Sequence, residues 1–224
     1  MNPRLLLITL HLFIYAFTFA QQSAHLSGEV EANLSKDTFK AQFKLSQLQV
    51  ANPKMSFMLY EDYDVEQVYL NGEPIASSKN GKSCDRCKVH TIWIDREISP
   101  KDTVRIDITA SLEVFQKSVI QNSTPRNQIY QADTRRKWYP VVLEESTKKE
   151  HRPFAQNTYD YTYSLKVTGK GFEVIRITGN KGGGAGMFTS ENTVSNLHIL
   201  FARHPIEDFA SFSKDPAYKL SRSL

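Results

Sequence analysis

The sequence predicts an all-β protein, a β-sandwich of mostly antiparallel strands. Apolar and polar residues alternate through most of the chain, turn-forming Asn, Gly, Pro and Asp separate the alternating runs, and no apolar helical period of useful length occurs. Strands that each carry one apolar face must bury those faces against a second sheet.

The elements follow in order. Leu26, Gly28, Val30, Ala32 and Leu34 fall on one face, with Ser27, Glu29, Glu31 and Asn33 on the other. Phe39, Ala41, Phe43 and Leu45 alternate with Lys40, Gln42, Lys44 and Ser46, and Ser35-Lys-Asp37 joins the two strands. After the Asn52-Pro53 break, Met55, Phe57 and Leu59 start a third strand; Val65 to Leu70 forms another, closed by the turn pair Asn71-Gly72. Val89 to Ile94 is next. The longest regular alternation, Val104 to Val114, predicts one strand over that whole stretch. From Gln116 to Lys137 the period disappears, which predicts an exposed connection, and a second loop runs from Glu144 to Asn157. Tyr159 to Val167, Phe172 to Thr178 and Val194 to Ala202 supply three more strands. Gly182-Gly-Gly-Ala-Gly186 lacks the Lys-Ser/Thr ending of a phosphate loop and is expected to be a flexible hairpin connection.

The ends bound the domain. Arg4 precedes an apolar run from Leu5 to Ala20, with Thr18 and Ala20 placed as the small residues of a cleavage site before Gln21. The run is shorter than the roughly 20 residues a bilayer span needs. The expected organisation is a signal peptide over 1–20, one sandwich over 21–213 and a flexible tail over 214–224, with a secreted or periplasmic location and no transmembrane segment after cleavage. About 200 residues are enough for a single all-β domain with a sizeable core. A net charge of +4 is mild, and Arg135-Arg-Lys137 and Lys148-Lys-Glu-His-Arg152 read as solvated loops. An exported chain without a recognition motif is not expected to bind nucleic acid.

Cys84-Asp-Arg-Cys87 is the one reactive-looking motif. Cα atoms at the ends of a β-turn lie under about 7 Å apart, within reach of a disulfide, and export implies an oxidising compartment. A structural bridge is the leading expectation. A metal site that adds His90, or a redox dithiol, is the alternative. The aromatic content includes Tyr159, Tyr161 and Tyr163 on one strand face, and Trp138-Tyr139 between two loops. Core packing explains inward aromatics, and a carbohydrate-binding platform is the alternative. Asn33-Leu-Ser35 and Asn122-Ser-Thr124 fit the glycosylation sequon.

Val68-Tyr-Leu-Asn-Gly-Glu-Pro-Ile75, Asp107-Ile-Thr-Ala-Ser-Leu-Glu113, Trp138-Tyr-Pro140, the Tyr159–Val167 strand and His204-Pro-Ile206 together resemble the front domain of the aminopeptidase N type of gluzincin metallopeptidases, and they occur in the expected order. The resemblance implies a saddle-like sandwich that covers one side of a catalytic domain. It assigns no catalytic residue, cofactor or metal here: a zinc peptidase needs two His one helical turn apart with a Glu as base, and none of the six His is directly followed by Glu. The expected function is a non-catalytic module that binds a peptidase or another envelope protein. Trp138, Tyr139 and Ile206 are the expected contact residues.

Overall fold

Alternation in the sequence becomes cross-strand register in the structure. The computed structural model describes residues 23–50, 53–84, 86–120, 127–132, 137–143, 159–178, 180–182, 185–190, 192–194 and 196–204. In chain order the strands are β1 (Ser23–Asn33), β2 (Thr38–Ser46), β3 (Lys54–Tyr60), β4 (Asp64–Leu70), β5 (Glu73–Ile75), β6 (Ser77–Cys84), β7 (Cys87–Trp93), β8 (Val104–Ala110), β9 (Gln116–Ile120), β10 (Asn127–Ala132), β11 (Val141–Leu143), β12 (Asp160–Lys170), β13 (Val174–Ile177), β14 (Asn180–Gly182), β15 (Ala185–Thr189) and β16 (Ile199–Ala202).

They form three sheets: a seven-stranded one in the order β15-β12-β1-β2-β8-β4-β5, a five-stranded one, β14-β13-β16-β10-β9, and a four-stranded one, β11-β3-β7-β6. The β1–β12 ladder is parallel and the other described ladders are antiparallel. The fold is therefore all-β and mostly antiparallel, as the sequence predicts. One apolar core draws Leu26, Phe43 and Ile106 from the large sheet, Phe57 and Ile92 from the four-stranded sheet, and Ile175 and Phe201 from the five-stranded sheet.

Two local conformations depend on specific residues. Asn71 (φ 52°) and Gly72 (φ 92°) form the two-residue loop between β4 and β5; positive φ at both positions is the primed turn that matches strand twist. Asn33, at the end of β1, accepts bonds on Oδ1 from Ser35 Oγ at 2.9 Å and Lys36 N at 3.2 Å. That Asx turn closes the β1–β2 hairpin. The first sequon is thus a buried structural turn, whereas Asn122 lies outside the described residues.

The structure corrects the sequence reading in three places. The strand expected to reach Val114 stops at Ala110. Ser111 Oγ accepts a bond from Glu113 N at 3.1 Å and caps a 3-10 turn over Leu112–Val114, which still buries Leu112 and Val114. The expected connection over 116–137 contains the β9–β10 hairpin. Ile129, Tyr130 and Ala132 are buried on both faces of β10, so no period of two is visible there. The glycine-rich stretch contributes to β14 and β15, and Phe188 anchors β15 in the core.

Candidate functional site

The aromatic motif Trp138-Tyr-Pro140 lies between β10 and β11 and is wholly internal. Trp138 is 0% and Tyr139 1% exposed. Trp138 Nε1 donates to the Leu197 carbonyl at 2.7 Å, and Leu197 N donates to Tyr139 Oη at 3.3 Å. Both polar backbone groups of one residue are thereby paired inside the core. The Pro140 carbonyl accepts from Tyr161 Oη at 3.3 Å, and Val142 N donates to the same Oη at 2.7 Å. Burial raises the phenol of Tyr139 to about 12 and pushes that of Tyr161 up further, so both act as neutral hydrogen-bonding groups. The expectation that Trp138 and Tyr139 contact a partner is corrected: the motif pins sheet to sheet. Tyr159, Tyr161 and Tyr163 are buried as well, which removes the aromatic surface that a sugar platform requires. Ile206 lies outside the described residues.

A second polar cluster is structural too. Asp102 is buried and accepts five bonds: from both terminal nitrogens of Arg96 at 2.7 Å each, from Asn71 Nδ2 at 2.7 Å, and from Ser99 N and Oγ at 2.8 Å each. These donors, led by Arg96 and then Asn71, hold the carboxyl far below the usual carboxylate range. The cluster ties the Asn71-Gly72 turn to the segment that leads into β8. Asp102→Asn is expected to cost about 2 kcal/mol at neutral pH. A depressed folded pKa stabilises above the unfolded value of about 3.9, and that stability is lost as pH falls below it. Urea unfolding at stepped pH should therefore show the gap between wild type and variant closing in acid.

At the tip of the β6–β7 hairpin, Cys84 and Cys87 stand opposite each other in register. Arg86, at φ 59°, stacks over Tyr60 at 5.2 Å and faces Glu61 at 3.6 Å, and Cys87 Sγ lies 3.8 Å from Met58 Sδ. His90 stacks on Phe57 with ring centroids 5.3 Å apart. Among the described residues no three His, Cys, Asp or Glu side chains converge on a metal position.

The outer face of the large sheet is an open depression of about 550 Å³ lined by charges from β12, β1, β2 and β8. They neutralise one another across strands: Lys166 meets Glu29 at 3.1 Å and Lys170 meets Glu31 at 2.7 Å. The Lys170 bond lowers the Glu31 carboxyl. Asp107 behaves oppositely; burial raises its carboxyl despite Arg105 at 3.2 Å. A raised carboxyl costs stability above the unfolded value of about 3.9, and the cost fades as pH falls. Asp107→Asn is accordingly expected to raise the melting temperature at pH 7, with the gain shrinking in acid; a lower melting temperature at pH 7 would contradict this.

In the four-stranded sheet β3, β7 and β11 are largely buried on both faces. Met55, Phe57, Ile92 and Val142 point to the core, and Met58, Val89, Val141 and Leu143 alternate onto the other face. Trp93 continues that outer row at 65% exposure, with Lys54 over its ring at 5.9 Å. Nothing in the sequence distinguishes Trp93 from the inward residues of its strand.

No family model and no curated protein matches the sequence. Solved structures do match. Native yeast LTA4 hydrolase covers 80% of this chain at 10% identity with a TM-score of 0.53. A second structure of native leukotriene A4 hydrolase from Saccharomyces cerevisiae also covers 80%, at 10% identity and a TM-score of 0.55. An M1 zinc metallopeptidase from Deinococcus radiodurans aligns over 81% at 14% identity, with a TM-score of 0.44 that adds no argument. The chain spans 28% of the length of the yeast enzyme. The resemblance read from the sequence thus returns in the solved structures as a shared fold, that of one part of a larger hydrolase.

Proposed function

We propose that this sandwich is an exported, non-catalytic module that seats on a zinc-peptidase-type domain through the exposed Trp93 at the end of its four-stranded sheet. The carrying observation is the contrast between its surfaces: the large sheet turns matched ion pairs to solvent, whereas the four-stranded sheet ends in Trp93, an indole 65% exposed in line with the buried Val89. An exposed Trp is a frequent binding anchor. The fold match to part of a larger hydrolase supports a peptidase-like partner. The test is calorimetric titration of the mature chain with a zinc-aminopeptidase catalytic domain lacking its own front sandwich. Binding is expected, and Trp93→Lys should weaken it by about tenfold or more without changing the melting temperature. No heat of binding, or equal affinity in the variant, would overturn the proposal.

Export and the hairpin bridge belong to the same reading. β1 enters the sheet at Ser23, shortly after the expected cleavage before Gln21. Intact-mass analysis of envelope or secreted material should show a chain that starts at Gln21 and lacks two thiol hydrogens, from a Cys84–Cys87 bridge. Replacing both Cys with Ser should cost about 2 kcal/mol or less, because the closed loop is short.

A further inference from the structure

The Asn71-Gly72 turn joins two features that act against each other. Asn followed by Gly is prone to spontaneous deamidation, because a residue without a Cβ leaves its backbone nitrogen unshielded and lets the chain fold back onto it. Both residues are exposed, and no atom lies within 4 Å of the place a Cβ on Gly72 would take, so solvent reaches the peptide. Against this, both ends of the Asn71 carboxamide are held. Nδ2 donates to Asp102 Oδ1 at 2.7 Å, and Oδ1 accepts from Thr103 N at 2.9 Å. Asp102 is itself fixed by Arg96 and Ser99, so the acceptor cannot follow a turning amide.

We propose that Asn71 is a latent deamidation site, which Asp102 keeps closed in the folded protein. The reaction needs only water and its hydroxide. The Gly72 nitrogen gives its proton to hydroxide and attacks Asn71 Cγ; the N–Cγ bond forms, the Cγ–Nδ2 bond breaks, and the amide nitrogen takes a proton from water and leaves as ammonia. A second water opens the succinimide at either carbonyl, which gives aspartate or isoaspartate. Ring closure turns the carboxamide onto Gly72 N, so its bonds to Asp102 and Thr103 must break first. The bond to Asp102 is charge-assisted, and breaking it lowers the population of free carboxamide about tenfold or more.

The product does not fit the place that Asn71 leaves. An aspartate there has no N–H to donate and sets a second carboxylate against Asp102. Isoaspartate adds a methylene to the backbone of a two-residue loop whose flanks, Leu70 and Glu73, are paired in register. Modification therefore releases β5, a three-residue edge strand that depends on this turn.

Peptide mapping with isoaspartate detection, on chain aged in mildly alkaline buffer at body temperature, tests this. Chain unfolded in guanidinium chloride should deamidate at Asn71 about tenfold or more faster than folded wild type. Folded Asp102→Asn, which leaves only a neutral acceptor, should deamidate at Asn71 about tenfold faster than folded wild type. Trp138→Phe is destabilised in the core but keeps the cluster, and it should age as wild type does. Equal rates in folded and unfolded wild type overturn the proposal, as does an Asp102→Asn protein no faster than wild type. Acceleration in Trp138→Phe equal to that in Asp102→Asn overturns it too, because opening is then global and Asp102 holds no local lock.

Discussion

Trp138→Ala is expected to destabilise the protein by about 3–5 kcal/mol, the usual cost of emptying a buried indole site. The side chain is fully buried, packs edge-on to Phe43 at 5.9 Å and Tyr139 at 5.5 Å, and holds the Leu197 carbonyl at 2.7 Å. Trp138→Phe separates the two parts of the loss. It keeps most of the packing but leaves that carbonyl unpaired in the core, at a cost of about 1–3 kcal/mol. Urea midpoints of the three proteins should fall in the order wild type, Trp138→Phe, Trp138→Ala. A Trp138→Ala protein within about 0.5 kcal/mol of wild type, the scale of an ordinary surface change, would show that the motif does not hold the sheets together.

Gly28→Ala is the other large effect. Gly28 sits inside β1 at φ 150°, paired with Phe43 on one side and Leu165 on the other. A Cβ there would lie 2.0 Å from the Gln42 carbonyl oxygen. That contact is with backbone in the middle of a sheet, so two ladders must move to relieve it. The expected cost is about 3 kcal/mol or more, read as loss of the cooperative urea transition or a large fall in its midpoint. An unperturbed midpoint would mean that β1 adjusts more freely than its two ladders suggest.

These residues also mark what the sequence could disclose. β1, β2, β8 and β12 were legible because each has one wet and one dry face, and the alternation of Phe39 to Leu45 or Tyr159 to Val167 follows directly from that. β3 and β7 are buried on both faces, so Phe57 to Tyr60 loses the period, and the strands are read only from Met55, Phe57 and Leu59 and from the apolar run Val89 to Ile94; β11, three buried residues long, has no alternation to read. β9 and β15 offer too few inward apolar side chains to register. At Trp138-Tyr139, flanking polar loops suggested exposure; the partner that buries both side chains is the backbone of Leu197, 59 and 58 positions away. Such long-range pairing leaves no local signal. Conversely, Trp93 alternates correctly for its strand, and only the structure shows that its ring is exposed.

The central claim is that the sandwich binds through the Trp93 end of its four-stranded sheet and leaves its charged face in solvent. Lysine-labelling footprinting of the mature chain, with and without the zinc-peptidase catalytic domain, tests it most directly, because lysines report on both faces. Lys54, beside Trp93, should be protected in the complex, while Lys40, Lys166 and Lys170 on the large sheet should label at unchanged rates. Protection of Lys40, Lys166 and Lys170 with Lys54 unaffected would contradict the account.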